Sequence, residues 1–233
     1  MSYLYDLWDD VISLLFPRLC YACGENLLRN ERLICTGCYI LIPRTNYHLQ
    51  EDNPVARLFW GRCKIERAAA FSFYNKDSRI RKLIHNLKYK GIKDVGFELG
   101  KIYGQSLSGS DFLKGIDMII PVPLHASKKR IRGFNQSEII SYGFSESTGL
   151  PVCSGILERT SRSDTQTKRS RYDRWVNVEG IFNVSDRSIL NGKHVLVLDD
   201  VITTGSTLES CAVELLKSEG VKVSVAALAV AVV

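Results

Sequence analysis

The 233-residue sequence has little that would direct a chain to or across a membrane. No Lys or Arg precedes its first apolar stretch, no small-residue cleavage site follows it, and Asp6, Asp9 and Asp10 interrupt it. This pattern argues against an export signal. The apolar stretch at residues 221–233 is shorter than the roughly 20 residues that span a bilayer, so a buried strand is the better interpretation. We therefore expect a cytoplasmic protein with no transmembrane segment.

Dense basic tracts, internal repeats and low-complexity segments are also missing. The formal net charge of +6 attracts phosphates, nucleic acid or anionic lipid only mildly. The basic residues do not form the dense Lys/Arg tracts that are typical of proteins that coat nucleic acid. Hydrophobic residues make up 45% of the chain, which excludes general disorder. A chain of this length can form one sizeable α/β domain with a small appendage.

Cysteine is plentiful, with seven residues, and four of them form two Cys-x-x-Cys pairs. The pairs are Cys20 with Cys23 and Cys35 with Cys38. This is metal spacing rather than disulfide spacing, and it favours a reducing compartment. Four thiolates suit tetrahedral zinc and leave no open position, so we expect a structural zinc ribbon. Two unrelated turns with free or redox-active thiols are the alternative. The other three cysteines, Cys63, Cys153 and Cys211, are interpreted as ordinary semi-buried thiols.

After the cysteines, apolar strand patterns alternate with helical ones. A short amphipathic helix is predicted from Tyr3 to Phe16, and strands are predicted at 68–74, 118–122, 195–198 and 223–232. The helices are predicted near 77–87, 95–107, 135–148 and 206–218. This alternation predicts an α/β fold with a largely parallel sheet. The expected organisation is a helix and zinc ribbon at 1–50, a connecting segment at 51–65 and an α/β domain at 66–233.

The most informative string is VLVLDDVITTGST at residues 195–207. Its apolar run predicts a central strand that presents Asp199 and Asp200 at its carboxyl end, where parallel sheets bind ligands. Two carboxylates there can accept hydrogen bonds from the two hydroxyls of a ribose. The turn that follows offers hydroxyls, backbone N–H groups and a helix N-terminus to a 5′-phosphate. Its residues are Thr203, Thr204, Gly205, Ser206 and Thr207. A structural strand-turn-helix, or two acids that bind only magnesium, is the alternative.

This string resembles the phosphate-binding motif of the type I phosphoribosyltransferases. The resemblance narrows to the ComF competence-protein family, linked to DNA uptake and use, through PVPLHASKKRIRGFNQS at 121–137, TQTKRSRYDRW at 165–175, LKYKG at 87–91 and the cysteine-rich start. It implies a phosphoribosyl pyrophosphate ligand with magnesium, with the two acids on the ribose. Many members have further cysteine pairs, whereas only Cys63 stands in that region here, so a second zinc is not expected.

Two basic segments accompany this string. The turn of Pro121, Val122 and Pro123 can offer backbone N–H groups to pyrophosphate, with Arg130 and Arg132 as the preferred anion contacts. A solvated basic loop is the alternative. In the resemblance, residues 159–177 correspond to a mobile hood that closes over the ribose and places cations near the departing diphosphate. Arg169 is the predicted catalytic cation there, with Lys168 and Arg171 as neighbours, and a plain surface loop is the alternative.

Two functions share the predicted pocket. The first is magnesium-dependent transfer of a 5-phosphoribosyl group, with inversion at the anomeric carbon and release of pyrophosphate. The second is a non-catalytic module that senses a phosphoribosyl ligand and binds single-stranded DNA or a DNA-uptake protein. Thr203 occupies the position of the acid that assists at the base in 6-oxopurine enzymes, and a threonine cannot act as that base at neutral pH. A hypoxanthine or guanine acceptor is therefore disfavoured.

Overall fold

The protein is built around a four-stranded parallel sheet. A computed structural model of the chain describes residues 16–160 and 181–231. The strands are β1 (Ala68–Tyr74), β2 (Met118–Pro121), β5 (His194–Ile202) and β6 (Lys222–Ala231). They lie in the order β1-β6-β5-β2, and every neighbouring pair is parallel. The predicted α/β class and parallel sheet are confirmed, and β1 has the bounds that the sequence predicted.

Helices cover both faces of this sheet because β5, at its centre, is apolar on both sides. Leu196 and Leu198 pack with one group of helices, and Val195 and Val197 pack with the other. The helices are α1 (Thr36–Ile40), α2 (Pro54–Arg57), α3 (Arg79–Lys90), α4 (Lys93–Ser106), α5 (Ala126–Arg132), α6 (Gln136–Thr148) and α7 (Ser206–Leu215). On the leucine face lie α3, α4, α6 and the cysteine segment. On the valine face lie α2 and α7.

Helices α4 and α6 touch backbone to backbone through glycine. A Cβ atom on Gly100 would lie 2.0 Å from the carbonyl oxygen of Ile140, and one on Gly143 would lie 1.8 Å from that of Phe97. Neither position can accept a side chain without separating the helices. The close contact fixes α6, whose first turn faces the carboxyl end of β5 through Ser137.

A two-stranded antiparallel sheet, which the sequence did not predict, packs on the valine face. Strand β3 (Leu157–Arg159) pairs with β4 (Phe182–Val184), and Thr160 donates its N–H to the carbonyl of Ile181 at 2.9 Å. Strand β3 ends at Arg159, where the polar stretch predicted as a hood begins. The remainder of that stretch, including Arg169, lies outside the described residues, as does nearly all of the predicted helix from Tyr3 to Phe16.

Two other boundaries differ from the prediction. Strand β5 continues beyond residue 198 to Ile202, and Asp199 and Val201 pair in register with Ala227 and Ala229 of β6. The two acids therefore belong to the strand rather than follow it. Helix α5 occupies the basic segment for which a solvated loop was the alternative. Within the described ranges, no helix is both long and apolar enough to span a membrane.

Candidate metal centre and ligand site

The four paired cysteines form a single cluster. One ligand atom from each of Cys20, Cys23, Cys35 and Cys38 lies within 4.8 Å of the others, and the Sγ atoms of Cys23 and Cys35 are 3.8 Å apart. Tetrahedral zinc with bonds of about 2.3 Å requires sulfur–sulfur distances of about 3.8 Å. The donor set and its spacing therefore fit zinc.

Backbone N–H groups point at the sulfurs, as a thiolate cluster needs. Cys35 donates its N–H to Cys20 Sγ at 3.3 Å, and Cys38 donates to Cys35 Sγ at 3.4 Å. Burial opposes ionisation of Cys20, but N–H groups, that of Cys35 first, outweigh it and lower the pKa of this thiol to about 6. Burial and the neighbouring sulfurs raise the pKa of Cys38. The cluster readily forms one thiolate, and a divalent cation would stabilise the rest.

Hydrogen bonds stabilise the zinc ribbon internally and attach it to the α/β domain. The Glu31 carboxylate accepts the backbone N–H groups of Thr36 at 2.6 Å and Leu28 at 3.0 Å, and these bonds lower its pKa. Asn86 of α3 donates from Nδ2 to the carbonyl of Tyr21 at 2.7 Å. The segment between the first two cysteines is thus attached to the helix that ends beside the acids of β5.

Asp199 and Asp200 form the polar end of β5. Ser137, in the first turn of α6, donates its hydroxyl to Asp199 Oδ1 at 2.9 Å, and the N–H of Asp200 donates to the same oxygen at 2.8 Å. Burial raises the pKa of Asp199 from its ordinary 3.8 to about 7, with the Asp200 charge as the second cause. These two hydrogen bonds and Lys88 oppose the rise. The site therefore holds one acid that is paired with a lysine and one that titrates near neutral pH.

Lys88 is the site residue that sequence reasoning missed. It lies in the last turn of α3, and its Nζ is 2.8 Å from Asp200 Oδ1. The two side chains are only 19% and 7% exposed. Within the described parts of the chain, Asp200 Oδ2 is buried without a hydrogen-bond partner. The LKYKG string carries part of the family resemblance, but a contact between residues 112 positions apart cannot be derived from local spacing.

The turn after β5 has the form expected of a phosphate-binding loop. Gly205 has φ +77°, a conformation that glycine adopts without strain, and it caps α7. The Thr204 and Ser206 hydroxyls are 3.1 Å apart. A small depression brings the loop and the first acid together, and it is lined by Asp199, Thr203, Gly205, Ser206 and Thr207 among others. The first-turn N–H groups of α7 have no carbonyl partners within their own helix, which suits an anion.

Residues of the segment 51–65 pack against this loop and donate a hydrogen bond to it. A Cβ atom on Gly205 would lie 3.4 Å from the Phe59 ring. Arg62 donates from Nη1 to the carbonyl of Thr204 at 3.3 Å and makes an ion pair with Glu209 of α7. The neighbouring Cys63 is half-buried, and burial, followed by the charge of Glu209, raises the pKa of its thiol to about 11. This thiol is therefore protonated at neutral pH.

The predicted pyrophosphate turn begins at Pro121, the last residue of β2. Pro121 and Val122 are buried, and the Val122 carbonyl accepts a hydrogen bond from Asn135 Nδ2 at 3.0 Å. The prediction that this turn offers backbone N–H groups to pyrophosphate is wrong, because proline has no N–H and the Val122 N–H donates to the Leu198 carbonyl at 3.0 Å. Arg132 donates to Gln136 Oε1 at 2.9 Å and lies over the Tyr89 ring, with 5.5 Å between guanidinium carbon and ring centroid. Arg130 is exposed on α5. Arg132 thus contacts the LKYKG segment, whereas Arg130 faces solvent.

The acids do not form a ready-made magnesium site. Carboxylate oxygens are the ligands magnesium prefers, and the buried, unpartnered Oδ2 of Asp200 is of this type. However, Lys88 already neutralises Oδ1 of the same carboxylate. In the described ranges the cysteine cluster is the only group of three or more His, Cys, Asp or Glu residues placed to hold a metal. The residues thus fit a metal that arrives with ligand phosphates rather than one held by the chain alone.

A second, larger depression, here called the ribbon groove, lies between the cysteine segment and α3. It has a volume of about 950 Å³. Six cationic side chains line it, and no acidic residue does so among the described residues. The cations are Arg18, Arg32, Lys76, Arg81, Lys82 and Lys90. Tyr21 and His85 also line it, so the groove combines positive charge with rings, as surfaces for single-stranded nucleic acid do.

Comparison with known proteins shows similarity to one domain family and to a set of bacterial proteins. The family described as phosphoribosyl transferase domain matches residues 124–232. The DNA utilization protein YhgH of Salmonella typhimurium is 28% identical over 90% of this chain and 95% of its own length. Competence protein F of Haemophilus influenzae is 36% identical over 47% of this chain and 48% of its own length. Competence protein ComFC of Bacillus subtilis is 22% identical over 84% of this chain and 76% of its own.

Among solved structures, the chain is similar to an allosteric regulatory enzyme of purine biosynthesis. The TM-score is 0.39 at 23% identity, and the similarity covers 56% of this chain but 25% of that one. An adenine phosphoribosyltransferase gives a TM-score of 0.36 at 14% identity, over 60% of this chain and 69% of that one.

Proposed function

The chain belongs to the ComF family of competence proteins and has a type I phosphoribosyltransferase domain, and from this premise we propose that it binds a phosphoribosyl pyrophosphate-type ligand. One observation carries the proposal. An acid pair at the carboxyl end of a central strand runs directly into an anion-binding turn, and the first acid and the turn line one depression. A ribose 5-phosphate group likewise places its diol close to its phosphate.

In this proposal each part of the site binds one part of the ligand. Asp199 and Asp200 accept hydrogen bonds from the ribose hydroxyls. The loop from Thr203 to Thr207 binds the 5′-phosphate through hydroxyls, N–H groups and the N-terminus of α7. Arg130 and Arg132, on the helix that follows the turn from Pro121 to Pro123, are proposed to bind the diphosphate through their side chains. Magnesium is proposed to enter with that diphosphate, since the acid pair alone does not offer a complete site.

The chemistry proposed for this arrangement is transfer of the 5-phosphoribosyl group. The bond between the anomeric carbon and the diphosphate oxygen breaks, the electron pair leaves with the diphosphate, and an acceptor attacks from the opposite face, which inverts the carbon. The carboxylate of Asp200 would stabilise the cationic sugar that develops. Arg169 is proposed to stabilise the departing diphosphate. Thr203 provides no general base at neutral pH, so a 6-oxopurine acceptor is not proposed.

Biologically, we propose a role in the uptake or use of DNA, as the names of the similar competence and DNA utilization proteins suggest. The cysteine cluster is proposed to hold one structural zinc, which requires free thiols and hence a reducing compartment such as the cytoplasm. The proposed organisation has a zinc ribbon within residues 1–50 and a phosphoribosyltransferase domain within 66–233, with the segment 51–65 between them.

Titration calorimetry on the double variant Asp199→Asn, Asp200→Asn tests the ligand proposal. Asn keeps the size but removes both charges, so affinity for phosphoribosyl pyrophosphate with magnesium should fall by at least about 100-fold, given roughly 1.5–3 kcal/mol for each hydrogen bond to a charged group. The control is Asp77→Asn, an exposed aspartate before α3, which should bind as the wild type does. Unchanged affinity in the double variant, with a normal circular dichroism spectrum, would refute the assignment. Pyrophosphate release across a panel of acceptors then separates an enzyme from a sensor.

The ribbon groove favours a second candidate function, binding of single-stranded DNA. Fluorescence anisotropy with labelled oligothymidine measures this directly. The variant Arg81→Gln, Lys82→Gln should bind more weakly, and its logarithmic salt dependence should be less steep by about 1.4, or 0.7 for each lost phosphate contact. Lys128→Gln, Lys129→Gln on α5 is the matched control, because it removes the same charge elsewhere. Equal weakening by both variants would contradict a groove-specific interaction.

A further inference from the structure

Lys88 occupies the position beside Asp200 that a metal ion could otherwise take. It projects from the last turn of α3 to Asp200 Oδ1, 2.8 Å away, and both side chains are largely withdrawn from solvent. Buried ion pairs are stable only when their remaining hydrogen-bonding groups are satisfied as well. Here that condition is not met, because Asp200 Oδ2 is buried and lacks a partner within the described residues.

The unsatisfied groups match one chemical pattern. Asp200 Oδ2 can only accept a hydrogen bond while Asp200 is ionised, and the Lys88 ammonium can only donate. In the part of the chain that the structure describes, this ammonium has one hydrogen bond, to Asp200 Oδ1, so two of its three protons are available. A vicinal diol offers a hydroxyl donor and a hydroxyl acceptor on adjacent carbons. The pair therefore complements the diol of a ribose without any other ion.

The charge at the site leads to the same conclusion. Burial raises the pKa of Asp199, and Lys88 balances the charge of Asp200, so the acid pair carries less negative charge than two free carboxylates would before a ligand arrives. A divalent cation placed at Asp200 would lie against the ammonium and be repelled by it. Magnesium gains most from hard anionic oxygens whose charge is not already neutralised.

We infer that Lys88 is a ligand-binding residue that takes the place of a metal ion at Asp200, so that the ribose 5-phosphate part of a ligand binds without magnesium. The inference rests on the proposed phosphoribosyl site and makes it more specific. Magnesium requirements of the full ligand then belong to its diphosphate, and the ribose diol is bound by the chain alone. Lys88 thereby connects the LKYKG segment to the ligand, a role that no local pattern in the segment reveals.

Calorimetry with ribose 5-phosphate tests this inference, because that probe lacks the diphosphate that binds magnesium itself. Wild type should bind with the same affinity in excess EDTA and in millimolar magnesium. Lys88→Met should bind about 10- to 100-fold more weakly in EDTA, which is the loss expected for a hydrogen bond to a charged group. Magnesium should restore much of this affinity, since the ion can then occupy the vacated place beside Asp200. Lys88→Arg should keep most of the affinity in EDTA.

A double variant controls for the possibility that Lys88→Met alone fails to fold. Lys88→Met leaves Asp200 buried without a counter-charge, whereas Lys88→Met, Asp200→Asn removes both charges and should fold by circular dichroism. It should bind weakly in EDTA and gain nothing from magnesium, because the carboxylate is gone. The inference is overturned if wild type needs magnesium for tight binding of ribose 5-phosphate, or if Lys88→Met binds as wild type does in EDTA. Absence of binding by wild type under both conditions would instead contradict the proposed phosphoribosyl site.

Discussion

Replacing Asp199 with asparagine should make the protein more stable while weakening its ligand site. The asparagine side chain would keep an Oδ1 atom to accept hydrogen bonds from the Ser137 hydroxyl and the Asp200 N–H, so the local geometry is preserved. What the substitution removes is a partly buried carboxylate whose pKa is raised from 3.8 to about 7, by desolvation first and Asp200 second.

The direction and size of the effect follow from this pKa. An acid with a raised folded-state pKa binds a proton more tightly in the folded protein, so it costs nothing below about pH 4 and progressively more up to about pH 7. Above that pH the cost is constant. One pKa unit is worth about 1.4 kcal/mol, so the full cost is about 4 kcal/mol. Asp199→Asn should therefore gain little stability at pH 4 and up to about 4 kcal/mol at pH 8.

Urea denaturation followed by circular dichroism at pH values from about 4 to about 8 measures this difference. Asp77→Asn is the control, and as an exposed substitution it should change stability by less than about 0.5 kcal/mol at every pH. A gain that is the same at both ends of this pH range, or no gain at the upper end, would show that Asp199 is not held with a raised pKa. The same variant should bind ribose 5-phosphate more weakly, which would identify Asp199 as a group that lowers stability in return for binding.

Two further predictions concern the cysteine cluster and the basic helix. Elemental analysis of protein prepared without chelator should find one zinc per chain. The variant Cys35→Ser should lose this zinc and unfold the zinc ribbon, while the far-ultraviolet circular dichroism of the sheet domain largely remains. Zinc retained by this variant would contradict the assignment. Arg130→Ala, Arg132→Ala should weaken binding of phosphoribosyl pyrophosphate far more than that of ribose 5-phosphate, because the diphosphate is the group that these cations are proposed to bind. Equal losses of affinity for both ligands in calorimetry would show that the basic helix does not bind the diphosphate.

The sequence predicted the sheet and the cysteine cluster because both depend on local patterns. An alternating apolar run indicated the correct bounds of β1, and the spacing of Cys-x-x-Cys pairs indicated the cluster that the structure contains. The predicted end of β5 at residue 198 is too early because Asp199 and Asp200 are not apolar. Their place in the strand comes from backbone pairing with β6, which does not depend on side-chain polarity.

Other features depend on contacts between distant parts of the chain or on weak local signals. Strands β3 and β4 have three residues each and pair across the polar stretch, so neither carries a recognisable pattern alone. Helix α5 has no apolar face, since its one large apolar side chain, Ile131, is 85% exposed. The ion pair of Lys88 with Asp200 joins two motifs that the sequence shows separately. Their combination into one site is a property of the fold.

The support that Phe59 and Arg62 give to the phosphate-binding turn affects how the protein can be divided for experiments. A fragment beginning at residue 66 would include all four sheet strands. It would nevertheless expose the inner side of Gly205 and leave Glu209 without its arginine partner. Such a fragment should retain the fold of the sheet but hold its anion-binding turn loosely. Residues near Asn53, which caps the helix ahead of Phe59, are therefore the appropriate starting point for a fragment intended to bind ligand.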